Sequence, residues 1–132
     1  MARDNVEALR AVYDEWARGN FRAGQDLLDP DVVFSLRPEF PDAAKYHGPT
    51  GLRDYMRGFL AAWDDLTITA EEFIKAEGSV VVAVYQRGIG RESGTPGELR
   101  YFQVWTFRGR MAIRLETIRG RAEALESVGL PE

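Results

Sequence analysis

The sequence predicts one α+β domain, and three observations carry that prediction. Apolar residues at helical spacing are concentrated in the first half of the chain, period-two patterning dominates the second half, and the strand-like segments follow one another without helices between them. An alternating α/β fold would intersperse the two periods. At 132 residues, 45% hydrophobic and 11% aromatic, the chain fits a single domain over 1–132 that can bury about two-thirds of its unfolded surface.

The elements follow in order. Over residues 4–18, Val6, Leu9, Val12, Tyr13 and Trp16 fall at helical spacing, and Gly19-Asn20 supplies a stop. A shorter helical piece is expected over 21–28, ended by Asp29-Pro30-Asp31, because proline disfavours helix in the residue before it. Residues 32–36 read as a short strand. Residues 37–48 (RPEFPDAAKYHG) read as a long loop, with two prolines and little periodicity, of the kind that borders sites. Gly48-Pro49 looks like a helix start, and Leu52, Tyr55, Met56, Phe59, Leu60 and Trp63 form an apolar stripe that ends near Asp64-Asp65. Strands are expected over 66–77, 80–89, 99–108 and 111–119, and a last helical turn or two over 121–128.

Composition narrows the partners. With 21 acidic and 17 basic side chains the net charge is -4, and no run of like charge suggests a nucleic-acid or membrane surface. The expected partner is a small molecule or another protein. Fifteen of the 17 basic residues are arginine, which reads as the coding bias of a GC-rich genome. Cysteine is absent, so disulfides, thiolate catalysis and thiolate metal sites are excluded. With a single histidine and no carboxylate cluster at ligand spacing, neither a metal nor a cofactor is expected. The first residues lack the apolar core of a signal peptide, no apolar run approaches the roughly 20 residues of a membrane span, and a cytoplasmic protein is expected. Gly88–Gly94 superficially resembles a phosphate loop but joins two strands, so a hairpin connection is the reading.

The last hairpin carries the most chemistry. Gly109-Arg110 suits a two-residue type II′ loop. In that register Trp105 lies opposite Arg114, Gln103 opposite Glu116 and Tyr101 opposite Ile118. One face then holds Phe102, Val104, Met111, Ile113 and Leu115, a packing face. The other mixes aromatic rings with Gln103, Arg114 and Glu116, either as a solvent-exposed surface with a weak ion pair or as a pocket with apolar walls and a few orienting groups.

The order of elements, with "YHGPTGLRDYMRGF", "YFQVWTF" and "AEALESVGL", resembles the SnoaL-like branch of the nuclear transport factor 2-like superfamily over nearly the whole chain. The resemblance implies a strongly curved, mainly antiparallel sheet wrapped around the helices as a cone-shaped half-barrel with an internal pocket, and a homodimer. It implies that Gln103 points into the cone, with Arg114 and Glu116 beside it. Tyr13, Trp16, Phe34, Phe59, Trp63, Tyr101 and Trp105 would complete the wall around a small apolar or aromatic molecule.

Relatives of this fold include ketosteroid isomerase, polyketide cyclases, scytalone dehydratase and limonene-epoxide hydrolase, so residues must decide the chemistry. An isomerase would need a carboxylate near the end of the first strand, where this chain has Ser35, Leu36 and Arg37, and a carboxylic acid where it has Gln103. Steroid-isomerase proton transfer is therefore rejected. Glu116 could act as a base oriented by Arg114 and Gln103, or the Arg–Glu pair could simply neutralise itself. His47 is a candidate acid or base at the pocket mouth, or a residue of the helix start. The expectations are thus a ligand-binding lyase, isomerase or cyclase, or a non-catalytic ligand-binding or dimeric accessory domain whose pocket is filled by its own side chains.

Overall fold

The first amphipathic stripe becomes helix α1, Ala2–Ala17, which buries Leu9, Val12, Tyr13 and Trp16 to 8% exposure or less. At about 1.5–3 kcal/mol per fully buried large apolar side chain, this face rather than backbone propensity holds the helix in place. The computed structural model describes residues 2–36 and 45–131. The helix stops where expected, with the Gly19 N–H bonded to the Trp16 carbonyl at 3.0 Å and the Asn20 N–H to that of Glu15 at 2.9 Å.

The helix expected over 21–28 is reduced to one 3-10 turn, Gln25–Leu27, because Leu28 is drawn into strand β1, Leu28–Leu36, where it pairs with Ala112. Sheet pairing outweighs a weak local helical preference. Of the expected loop, residues 37–44 lie outside the described residues, and the rest forms a short strand, β2, Lys45–His47, antiparallel to β1. Helix α2, Gly48–Ala61, has proline in its first turn. The remaining elements lie close to their predicted bounds: β3, Trp63–Ala76; β4, Ser79–Gly90; β5, Pro96–Arg108; β6, Met111–Ile118; and α3, Arg121–Ser127.

Among the described residues, six strands form one curved open sheet in the order β2-β1-β6-β5-β4-β3, parallel only between β1 and β6. Its concave face carries the main core, in which Phe34, Ile68, Val82, Val84, Trp105 and Leu115 cluster with Leu9, Val12, Tyr13 and Trp16 of α1. The convex face carries a smaller cluster, Val81, Val104 and Ile118, covered by Ala124 of α3. This is the predicted α+β cone.

Bulges produce the curvature. In β3 the register jumps between Asp64 and Thr67, where Asp65 has a φ of 53°, and again between Ala70 and Glu72. Gly88 of β4 lies under the first jump: a Cβ there would come within 3.0 Å of the Trp63 ring and 3.3 Å of both the Asp64 carbonyl and the Leu66 Cα.

The third bulge overturns the face assignment of the last hairpin. Gly109-Arg110 is the predicted two-residue loop between paired Arg108 and Met111, and the φ of +64° at Gly109 is what a type II′ turn requires of its first position. Phe107 then pairs with Ala112, but Thr106 pairs with Arg114, so Ile113 is an extra residue. From there on the side chains of β6 change faces relative to the simple register. Trp105 lies opposite Leu115 and Gln103 opposite Thr117, in place of Arg114 and Glu116, and Ile118 lies opposite Phe102 rather than Tyr101.

Two glycine substitutions test this packing. Gly88→Ala should lower unfolding free energy by about 1–3 kcal/mol, because the new methyl meets backbone as well as the Trp63 ring. Gly58→Ala, in α2 with nothing within 4 Å of the new Cβ, should raise it by about 0.5–1 kcal/mol. Urea titrations of both variants provide the comparison.

Candidate functional site

Between α2 and the concave face of the sheet, the described side chains leave a cavity of about 1270 Å³. Leu99, Tyr101, Gln103 and Trp105 of β5 form its floor with Gln86 of β4 and Leu115 and Thr117 of β6. Trp16 closes one side, and Phe34, Tyr46, Tyr55, Phe59 and Trp63 supply most of the aromatic wall. Phe34, Tyr46, Tyr55 and Phe59 form a run of ring contacts, with centroids 5.0 Å apart for Phe34–Tyr55 and for Tyr46–Tyr55. Trp63 is held by the neighbouring glycines of β4 and β5, Gly88 and Gly97, over which its ring lies.

Helix α2 differs from α1 in what it buries. Its stripe of Leu52, Tyr55, Met56, Phe59 and Leu60 is amphipathic as predicted, yet no residue of this helix is fully buried. Part of the apolar surface that would normally meet core faces the cavity instead.

Among the described residues, two short hydrogen-bonded chains of buried polar groups lie at the cavity floor. Trp105 Nε1 donates to the Tyr13 hydroxyl at 3.0 Å, and that hydroxyl donates to Gln103 Oε1. An indole N–H can only donate, so the Tyr13 proton goes to the glutamine and the amide is oriented by the chain. Gln103 Oε1 is thereby occupied, leaving its NH2 as the group available to the cavity. In the second chain the Tyr101 hydroxyl donates to Gln86 Oε1 at 2.9 Å, which gives Gln86 the same polarity. Burial pushes the phenol of Tyr13 well above its ordinary value, an effect partly opposed by the bond from Trp105, and burial likewise raises that of Tyr101. Both tyrosines stay neutral donors.

Seven of the expected wall residues therefore line the cavity: Trp16, Phe34, Phe59, Trp63, Tyr101, Gln103 and Trp105. Tyr13 does not; it stands behind Gln103 and positions it. Arg114 and Glu116 are on the opposite face. They line a separate hollow of about 260 Å³ with Val104, Thr106 and Ser127, because the bulge at Ile113 reverses their side. There Arg114 Nη2 lies 3.5 Å from Glu116 Oε1, with side-chain exposures of 55% and 13%, an interaction worth at most about 1 kcal/mol. His47 is exposed at the N-cap position of α2 without a side-chain cap bond, and it does not line the cavity. None of the expected catalytic groups shares the cavity with Gln103.

Sequence reasoning missed Gln86 and Thr117. Gln86 falls in phase with Val80, Val82 and Val84, so a polar side chain on an otherwise buried face was a readable signal. Thr117 could be assigned inward only with knowledge of the bulge. Among the described residues no three of His, Cys, Asp or Glu come together to hold a metal, and no helix is long and apolar enough to cross a membrane.

Tyr13→Phe should cost about 1–3 kcal/mol, since it strands the Trp105 N–H and the Gln103 oxygen in a buried site. The raised phenols also fix the sign of a pH effect. Their contribution is fully present below the ordinary tyrosine value of 10.0 and is lost as pH rises above it, where the unfolded chain releases protons that the fold retains. Each steepens the alkaline loss by up to about 1.4 kcal/mol per pH unit. Denaturant titrations above pH 10 should show a shallower loss for Tyr101→Phe than for the parent.

Comparison with known proteins places the molecule. A nuclear transport factor 2-like protein of unknown function from Burkholderia pseudomallei superposes with a TM-score of 0.77 at 20% identity, over 95% of this chain and 97% of that one. A nuclear transport factor 2-like protein from Burkholderia thailandensis gives 0.78 at 20% identity, over 91% and 95%. TerC, co-crystallised with polyporic acid, gives 0.74 at 21% identity, over 94% and 96%. At such identities the likeness establishes the fold. None of the curated proteins matches significantly. The profile of the SnoaL-like domain matches residues 9–115, most of the chain, and with the cone and its internal cavity in place the protein belongs to the SnoaL-like domain family.

Proposed function

We propose that this protein is a cytoplasmic binding protein for a small, flat, apolar or aromatic molecule that carries a hydrogen-bond acceptor such as a carbonyl oxygen. The observation that carries the reading is the polarity of the cavity floor. Two glutamine amides have their oxygens taken by buried tyrosines, Gln103 by Tyr13 and Gln86 by Tyr101, so each offers N–H to whatever lies between the aromatic walls. A pocket with apolar walls and a few convergent polar groups is the usual form of a small-molecule site. The half-covered stripe of α2 supports it, because a ligand would complete burial that the chain leaves unfinished. TerC, similar in fold, was crystallised with a small molecule, which is in keeping with the proposal.

The reading is of binding and orientation. Among the described lining residues, the floor and aromatic wall hold amides, hydroxyls and rings, and the only carboxylate on the lining is exposed Asp54 of α2. No acid–base step is assigned to Arg114, Glu116 or His47.

The test uses two neutral probes of similar shape, 2-acetylnaphthalene and 2-ethylnaphthalene, followed by quenching of tryptophan fluorescence and by thermal shift. The ketone should bind about tenfold more tightly, the worth of one buried hydrogen bond. Gln103→Glu keeps an oxygen to accept from Tyr13 but removes one of the two amide donors, and it should weaken the preference. Failure of both probes to bind the parent would refute the reading.

We further propose a homodimer, which rests on the family resemblance. The packing face of the last hairpin that could serve it is smaller than simple alternation implied: Leu115 turns inward, and Val104 packs with Ala124 of α3. Sedimentation at micromolar concentration should give twice the 14.9 kDa chain mass, and a monomer would overturn the proposal.

A further inference from the structure

The lining of the cavity changes character at its rim. Among the described residues, two segments border it: the turn over residues 19–25 that follows α1, and the outer edge of α2. The turn brings Arg22 to the lining, and α2 brings Arg53 and, one turn later, Arg57. All three are exposed. Arg22 and Arg53 form no ion pair among the described residues, and Arg57 has only a loose one, its Nη1 lying 3.8 Å from Asp54 Oδ1 with both side chains largely exposed. Among the described residues, a chain of net charge -4 thus gathers three arginines against one aspartate around this rim. Elsewhere several arginines are matched closely, Arg91 to Asp64, Arg100 to Glu71 and Arg121 to Glu72, each at 3.0 Å.

Unmatched guanidinium groups beside an apolar cavity favour a ligand whose charge stays in water while its body is buried. Arginine suits this position, since its planar fork binds carboxylate, sulfonate or phosphate oxygens in pairs and remains charged. We infer that the molecule bound in this cavity is amphipathic, with an apolar or aromatic body held inside and an acidic group left at the rim between Arg22 and the Arg53–Arg57 edge of α2. The inference rests on the reading of the cavity as a small-molecule site and adds the charge of the ligand to it.

The probes are 8-anilinonaphthalene-1-sulfonate and N-phenyl-1-naphthylamine, which share one aromatic body and differ by the sulfonate. Both are titrated by fluorescence against the native protein, with circular dichroism as a check on folding. The sulfonate should bind about three- to tenfold more tightly in low-salt buffer, in proportion to a few exposed ion pairs. The triple variant Arg22→Ala, Arg53→Ala, Arg57→Ala should lose this preference while keeping its affinity for the neutral probe. About 0.5 M salt should weaken the preference in the parent, since it screens exposed charges over a few ångströms. Equal affinities for the two probes in the parent, or a preference that survives in the triple variant, would overturn the inference and leave the cavity reading intact. If neither probe binds, the cavity reading falls and takes this inference with it.

Discussion

The hydrogen bonds through the Tyr13 hydroxyl tie the helical layer to the sheet. This hydroxyl accepts from Trp105 and donates to Gln103, so one atom of α1 meets two residues of β5 on the floor of the cavity. Tyr13 also makes edge contacts with Trp16 and Trp105, at centroid distances of 4.8 and 6.5 Å. The floor of the cavity is therefore built by the same contacts that dock the helix. An amide buried at 8% exposure would be costly without a partner; here the partner also decides which end of the amide is presented.

The bulge at Ile113 has the wider reach. It separates the two halves of β6, and everything past it faces opposite to what simple alternation implies. Without it, a guanidinium and a carboxylate would stand beside Gln103, and the floor would be an ion pair in an apolar cone. With it, Leu115 and Thr117 take those places and the charged pair lies outside near α3. One residue inserted in a ladder thus separates a neutral cavity floor from a charged outer hollow.

Local patterns that depend on one element alone were legible. The α1 stripe, the α2 start at Gly48-Pro49, the four long strands and the Gly109-Arg110 turn follow from period and turn chemistry. The aromatic wall of Trp16, Phe34, Phe59 and Trp63 followed from the family resemblance, since apolarity alone does not distinguish a cavity wall from a filled core. The bulges were not legible. Ala112 and Ile113 are both apolar, so "MAIRLETI" alternates acceptably in either frame, and only pairing with a curved β5 selects one. Nor was β2, whose three residues are too few for their alternation to signal a strand and which exists by pairing with β1. The false helix over 21–28 has the same origin: Leu28 serves a strand partner 84 positions away, Ala112.

The donors on the floor have a consequence for where this protein can work. Glutamine amides and a threonine hydroxyl do not titrate, and the phenols beneath them are held neutral beyond their ordinary range. Between mild acid and mild alkali the floor of the cavity presents one unchanging set of hydrogen-bond donors. Selectivity between the ionised and neutral forms of a weakly acidic ligand would then follow the ligand's own titration, so the acidity of the compartment would govern occupancy through the small molecule while the floor itself stayed the same.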